Sequence, residues 1–253
     1  MSRDERARRA AGLTVDQNTA LALLREGEIE ILGVMPDASN YTFAARLTRG
    51  ITAVNIIWKP RDGEVPLWDF PEGTLYAREV AAFVVSDALG WDLVPPTVAR
   101  TGPHGIGAAQ LYVDHEPTEH YLTLMPARAD DFRRMCALDI VVNNADRKSG
   151  HCLLERGTGH IWGVDHGVCF HEDEKLRTVI WHFESEPIPD HVRTDLERFA
   201  AELDARGEVV TRLEPLLLKD EIEAMRARTR ALLATGVFPE PPQDRRPYPW
   251  PAI

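Results

Sequence analysis

Apolar positions recur every three or four residues in some stretches and every second residue in others, and the switches between the two periods mark out the elements. Leu21, Leu23 and Leu24 within residues 14–26 predict a short helix, with Gly27 as its stop. "EIEILGVM" (28–35) alternates in part, "YTFAARLT" (41–48) alternates, and "TAVNIIWKP" (52–60) is β-branched up to its proline. Three short strands in succession predict an antiparallel meander. "TLYAREVAAFVVSDALG" (74–90) carries Leu75, Val80, Phe83, Val84 and Leu89 near helical spacing and ends in Gly90, which predicts a helix. "TVAR" (97–100) and "GAAQLYVD" (107–114) return to strand character across a loop holding Gly102, Pro103 and Gly105. After its leading helix, the first half therefore reads β-β-β-α-β-β.

The second half is mostly helical. "ADDFRRMCALDIVVNN" (129–144) sets Phe132, Met135, Cys136 and Ile140 on one side, and a polar loop follows it directly. "HCLLE" and "HIWGVDHG" predict two short strands joined by the turn "RGTG", with Asp146 ahead of the hairpin and Asp165 at its far end. Beyond Pro189, "DHVRTDLERFAAELD" and "LKDEIEAMRARTRALLAT" read as amphipathic helices. The tail, 238–253, has too many prolines for regular structure and is expected to be flexible, as a cover over the fold or a protein-partner segment.

Composition narrows the partners. At 253 residues and 44% hydrophobic content the chain can bury a sizeable core, as one large domain or two lobes sharing a cleft. Forty acidic against 29 basic residues give a formal charge of −11, which repels nucleic acid and anionic bilayers. Cys136, Cys152 and Cys169 are odd in number, lie in apolar stretches and show no CxxC spacing, so they read as reduced core thiols of a cytoplasmic protein. Nine histidines lack HExxH or HxH spacing, which argues against a zinc hydrolase.

A β-rich lobe with one main helix, a connecting strand, and a helical lobe whose first loop and next hairpin each carry an aspartate is the layout of a kinase. The expected class is α+β, a bilobal protein-kinase-like fold in a single domain, with an N-lobe at about 28–113 and a C-lobe at about 114–237. "NNADRKSGHCLL" (143–154) followed by "IWGVDHGVCF" (161–170) resembles the catalytic and metal-binding loops of the phosphatidylinositol 3- and 4-kinase superfamily. The likeness is closest to type II 4-kinases and their small bacterial relatives, and it extends in order to "VNIIWKP", "REVAAFVVSDALG" and "AAQLYVD".

That resemblance implies roles. Phosphoryl transfer needs a lysine on the phosphates, acids on a divalent ion and an acid near the attacking hydroxyl. Asp146 would orient or deprotonate the acceptor, Arg147 would support the loop, and Asp165 would bind Mg²⁺. Lys59 would touch the phosphates of ATP, held by Glu79, and backbone groups of Tyr112 or Val113 would read adenine. Two departures stand out. The family's second metal ligand is usually Asn five residues after the catalytic Asp, and here that position is His151, which points to Mn²⁺ preference or impaired activity. The nucleotide loop "GVMPDASNYTFA" has no GxGxxG, which leaves Ser39, Asn40 and nearby amides to approach a phosphate.

The resulting expectation is an ATP-dependent phosphotransferase acting on a soluble protein or small-molecule hydroxyl. Acidic charge and the lack of an apolar membrane-facing stripe argue against a lipid acceptor. A non-catalytic nucleotide-binding scaffold and a nucleotidyl transferase on the same fold are the alternatives.

Overall fold

The computed structural model describes residues 17–36 and 40–253. Helix α1 (Gln17–Glu26) leads into strands β1 (Glu28–Val34), β2 (Phe43–Arg49) and β3 (Thr52–Pro60). Helix α2 (Leu75–Leu89) follows, then β4 (Thr97–Gly102) and β5 (Gly105–Leu111). These strands form one antiparallel sheet in the order β1-β2-β3-β5-β4. In β3 the inward residues Val54, Ile56 and Trp58 are buried, as the pleat requires, and with Leu23 and Leu24 of α1 they belong to a compact core on the sheet. Trp58 keeps its indole N–H satisfied by donating to the Pro103 carbonyl at 2.8 Å.

The C-lobe is built from α3 (Tyr121–Leu124), α4 (Ala129–Val142), the hairpin β6 (Cys152–Leu154) and β7 (Ile161–Gly163), then α5 (Asp190–Asp204), α6 (Glu208–Leu213) and α7 (Lys219–Thr235). The short α3 and α6 had no periodic signal, since neither spans two full turns. Gly90 closes α2 in the left-handed conformation at φ 72, the role its place in the sequence suggested. The three cysteines are buried free thiols.

Helix α2 is buried almost all round, which a helix lying between two layers requires. It packs on β4 and β5, while Ala81 to Leu89 are continuous with the C-lobe core of Met135, Val142, Phe170 and Met225. Its Arg78, 1% exposed, donates to the Cys169 carbonyl at 2.6 Å and pairs with the Glu221 carboxylate of α7. The main helix of the N-lobe is thus bolted to the C-lobe.

The tail has no regular structure, as its prolines lead one to expect, and it lies against the fold: Phe238 is buried, Thr178 N–H and the Trp181 indole both donate to the Pro247 carbonyl at 3.1 Å, and Ser149 N–H donates to the Ala252 carbonyl at 2.8 Å. Prolines remove donors but leave acceptors, and the tail is held by its carbonyls.

Removing one partner of a buried ion pair leaves an uncompensated charge. Glu221→Ala is therefore expected to cost about 3–5 kcal/mol of stability in chemical denaturation, against less than about 1 kcal/mol for removal of an exposed partner such as Glu26→Ala.

Candidate active site

Three elements converge on Lys59. Its ammonium, at the end of β3, pairs with Glu79 from α2 and lies 3.0 Å from Asp165 Oδ1, just beyond β7. Burial works against the charge on Lys59, but Asp165 and Glu79 outweigh it and hold the ammonium above its ordinary range. Asp165 in turn sits well below the usual carboxylate range, chiefly because of Lys59. Burial raises the Glu79 carboxyl, against the pull of Lys59. The other Glu79 oxygen accepts from His166 N–H at 3.0 Å, so one carboxylate orients both the lysine and the loop after Asp165. Asp165 has φ 61, a left-handed conformation that aspartate tolerates better than most residues.

The loop carrying Asp146 is braced from beneath. Arg147, fully buried, donates to both oxygens of Asp139 on α4 at 2.9–3.1 Å and to the Val164 carbonyl at 3.0 Å. It also meets His166 Nε2 at 2.7 Å. Arg147 therefore supports the loop and faces away from the cleft. Asp146 accepts a contact from Lys148 Nζ at 3.0 Å, and burial raises its carboxyl against the opposing charge of Lys148. Asp139 and Lys148 escaped the sequence reading. Asp139 had a signal, a lone acid inside the apolar run 135–142, whereas Lys148 looked like any loop lysine.

Asp146, His151 and Asp165 form a group whose ligand atoms all lie within 4.8 Å of one another. His151 Nε2 is 3.4 Å from Asp165 Oδ2, and burial pushes its imidazole down to about 4, so the ring is neutral and can act as a ligand at ordinary pH. Two carboxylates and a neutral imidazole suit a divalent cation.

Two adjoining cavities share Thr42, Lys59, His151 and Asp165. One, about 380 Å³, is mostly apolar and reaches Met35, Ile57, Tyr112, Val113 and Leu153. The other, about 130 Å³, is polar and bordered by Asn40, Glu79 and Lys148. Of the two backbone positions expected to read a base, Tyr112 has its N–H taken by the Asn55 carbonyl at 3.1 Å. No described residue accepts from the Val113 N–H. Asn40 borders the polar cavity, but its side-chain oxygen accepts from Val65 N–H at 2.7 Å, so it fastens its own loop. Ser39 lies outside the described residues.

A five-stranded antiparallel lobe, a lysine–glutamate pair and two aspartates at one cleft define a kinase-like fold. Solved structures with that fold include the Helicobacter pylori proinflammatory kinase CtkA, with TM-score 0.52, 12% identity, and coverage of 85% of this chain and 94% of that one. The Golgi casein kinase with Mn and ADP bound has TM-score 0.55 and 14% identity, over 86% and 74% of the two chains. The family model for phosphatidylinositol 3- and 4-kinases matches residues 98–197. Protein Rv2133c of Mycobacterium tuberculosis is 40% identical over 268 aligned positions, covering 92% of this chain and 95% of that protein. Phosphatidylinositol 4-kinase gamma 4 of Oryza sativa subsp. japonica is 30% identical over 128 positions, 44% of this chain but 22% of the rice protein. The chain belongs to one family with protein Rv2133c, and within it residues 98–197 match the phosphatidylinositol 3- and 4-kinase domain.

The lysine–glutamate pair gives a pH-dependent test. In Lys59→Met the buried Glu79 loses the ammonium that opposes its raised carboxyl, so its folded value rises further above the unfolded one. The folded state then binds the proton more tightly, and stability grows as pH falls through the folded value. Relative to the native chain, Lys59→Met is expected to lose about 3–5 kcal/mol at about pH 8 and distinctly less at about pH 5. Equal losses at both would mean that Glu79 is not the buried charge.

Proposed function

We propose that this protein is an ATP-dependent phosphotransferase whose acceptor is a hydroxyl of a soluble protein or small molecule. One observation carries the reading: Lys59, fixed by Glu79, stands beside Asp165, His151 and Asp146 where a polar cavity opens into an apolar one that runs to Val113. In this assignment the Val113 N–H donates to the base, apolar walls flank its faces, and Lys59 contacts the phosphates. Asp165 and His151, with Asp146 alongside, would hold a divalent cation, which would supply charge neutralisation on those phosphates. Asp146 accepts the acceptor's hydroxyl proton, helped by the burial that raises its carboxyl. Lys148 holds Asp146 in place and adds a further positive charge near the transferred phosphoryl group.

The acidic formal charge of −11 disfavours an anionic bilayer, and among the described residues no helix is long and apolar enough to cross a membrane. A second reading, a nucleotide-binding scaffold, draws on His151, because imidazole nitrogen is a poorer partner than oxygen for so hard an ion as Mg²⁺.

ATP labelled on the terminal phosphate is expected to transfer its label to an acceptor, and Asp165→Ala to lower the rate by ~10²-fold or more. Label moving from the α-phosphate would instead mean nucleotidyl transfer, and tight binding with neither label moving would mean a scaffold.

Thermal stabilisation by ATP is expected to be larger with Mn²⁺ than with Mg²⁺ and to vanish in Asp165→Asn. His151→Asn is expected to narrow the Mn²⁺ over Mg²⁺ difference. An unchanged difference in that variant would remove His151 from the metal's ligands.

A further inference from the structure

The connection between β3 and α2, residues 61–74, bonds to three segments in or beside the cleft that are far apart in sequence. At its start, Gly63 accepts from Tyr41 N–H at 2.9 Å, and Val65 N–H donates to Asn40 Oδ1 at 2.7 Å. Both bonds hold the loop between β1 and β2. The approach is close enough that a Cβ on Gly63 would lie 2.7 Å from the Tyr41 carbonyl oxygen, so glycine is required there. In its middle, Glu64 accepts from the backbone N–H of Leu75 at 3.1 Å and of Tyr76 at 2.7 Å, where Thr74 supplies no side-chain cap. A carboxylate at the N-terminus of α2 satisfies two orphan donors and complements the helix dipole.

At its far end the connection grips the segment that follows the metal loop. Asp69 pairs with Lys175 at 2.8 Å, and its carbonyl meets His171 Nε2 at 2.8 Å. The buried Phe70 ring packs edge-on against His171 at 5.2 Å and lies under the Arg78 guanidinium at 4.8 Å. The same 171–175 segment is held on its other side by Asn143, whose amide donates to the His171 and Asp173 carbonyls and accepts from Lys175 N–H.

The geometry points to residues 61–74 as a positioning brace, in which Glu64, Asp69 and Phe70 act through other groups to keep the nucleotide loop, Glu79 and Asp165 in register. The inference rests on the nucleotide-cleft reading above, and it makes one half-buried ion pair, Asp69–Lys175, a control point for a cleft that neither residue lines.

Amide hydrogen exchange and Mn²⁺·ATP binding would be measured on the full chain for the native protein, for Asp69→Ala, and for the charge swap Asp69→Lys with Lys175→Asp. Asp69→Ala is expected to speed exchange both at 40–42 and at 171–179 and to weaken nucleotide binding about 10-fold, with the swap recovering most of both. Faster exchange confined to 66–70 and 173–177, with nucleotide affinity unchanged, would overturn the brace. Glu64→Gln provides an independent arm: it should speed exchange at 40–42 and at the start of α2 while leaving Asp69 intact, and no change at either place would also overturn it. If the native chain binds no nucleotide, the function proposal fails, while the exchange at 40–42 in Asp69→Ala still decides the brace.

Discussion

A single buried guanidinium, that of Arg147, organises the C-lobe side of the cleft. Taking such a cation out of water costs several kcal/mol unless every donor finds an acceptor. Here Asp139 takes a forked set of bonds from α4, the Val164 carbonyl takes another from the exit of β7, and His166 lies against the remaining face. The Arg147 backbone adds a bridge, accepting from Val179 N–H at 3.1 Å and donating to the Arg177 carbonyl at 3.0 Å. One residue therefore fixes the helix before Asp146, the strand before Asp165 and the segment after it. The two aspartates can converge because their supports share one charge.

The upper side of the cleft follows a similar logic with different chemistry. Lys59 is held between carboxylates from α2 and from the C-lobe, so the lysine is positioned only while α2 stays against both lobes. Two things keep it there: the apolar residues Ala81–Val85 and Leu89 in the C-lobe core, and Arg78, one residue before Glu79, paired with Glu221. Adjacent residues on one helix thus carry opposite charges into two environments, Glu79 toward the cleft and Arg78 toward α7. A helix anchored in this way has little freedom to swing out.

Much of this was legible in sequence because strands and long helices carry their own periodicity. Residues 52–60 and 190–204 form elements whose ends coincide with the ends of their patterns, and Gly90 ends its helix in a left-handed conformation. The pairing of Lys59 with Glu79 was inferred from resemblance, since a strand-end lysine and a helical glutamate look solvated when read singly. What escaped was long-range and polar. The Asp139–Arg147 pair is local in sequence but its necessity is tertiary, and the connection 61–74 reads as a loop rich in Pro, Gly and acid until its partners at 40, 171 and 175 are known. The tail's contacts were hidden for the same reason: proline content reports what a segment cannot form, and says nothing about carbonyls bound by Ser149, Thr178 and Trp181.

His151 is where local chemistry and family resemblance pull apart. An asparagine oxygen would offer a hard, uncharged ligand, whereas an imidazole offers a softer nitrogen that competes with protons. The fold removes that second drawback. Burial pushes the ring down to about 4, and the neighbouring charges of Arg147 and Lys148 act in the same direction, so the nitrogen lone pair is free at neutral pH even with Asp165 at 3.4 Å. A histidine kept neutral beside an aspartate kept ionised is a donor set ready for a divalent ion. The substitution therefore argues for a change in which ion is preferred more strongly than for loss of the site.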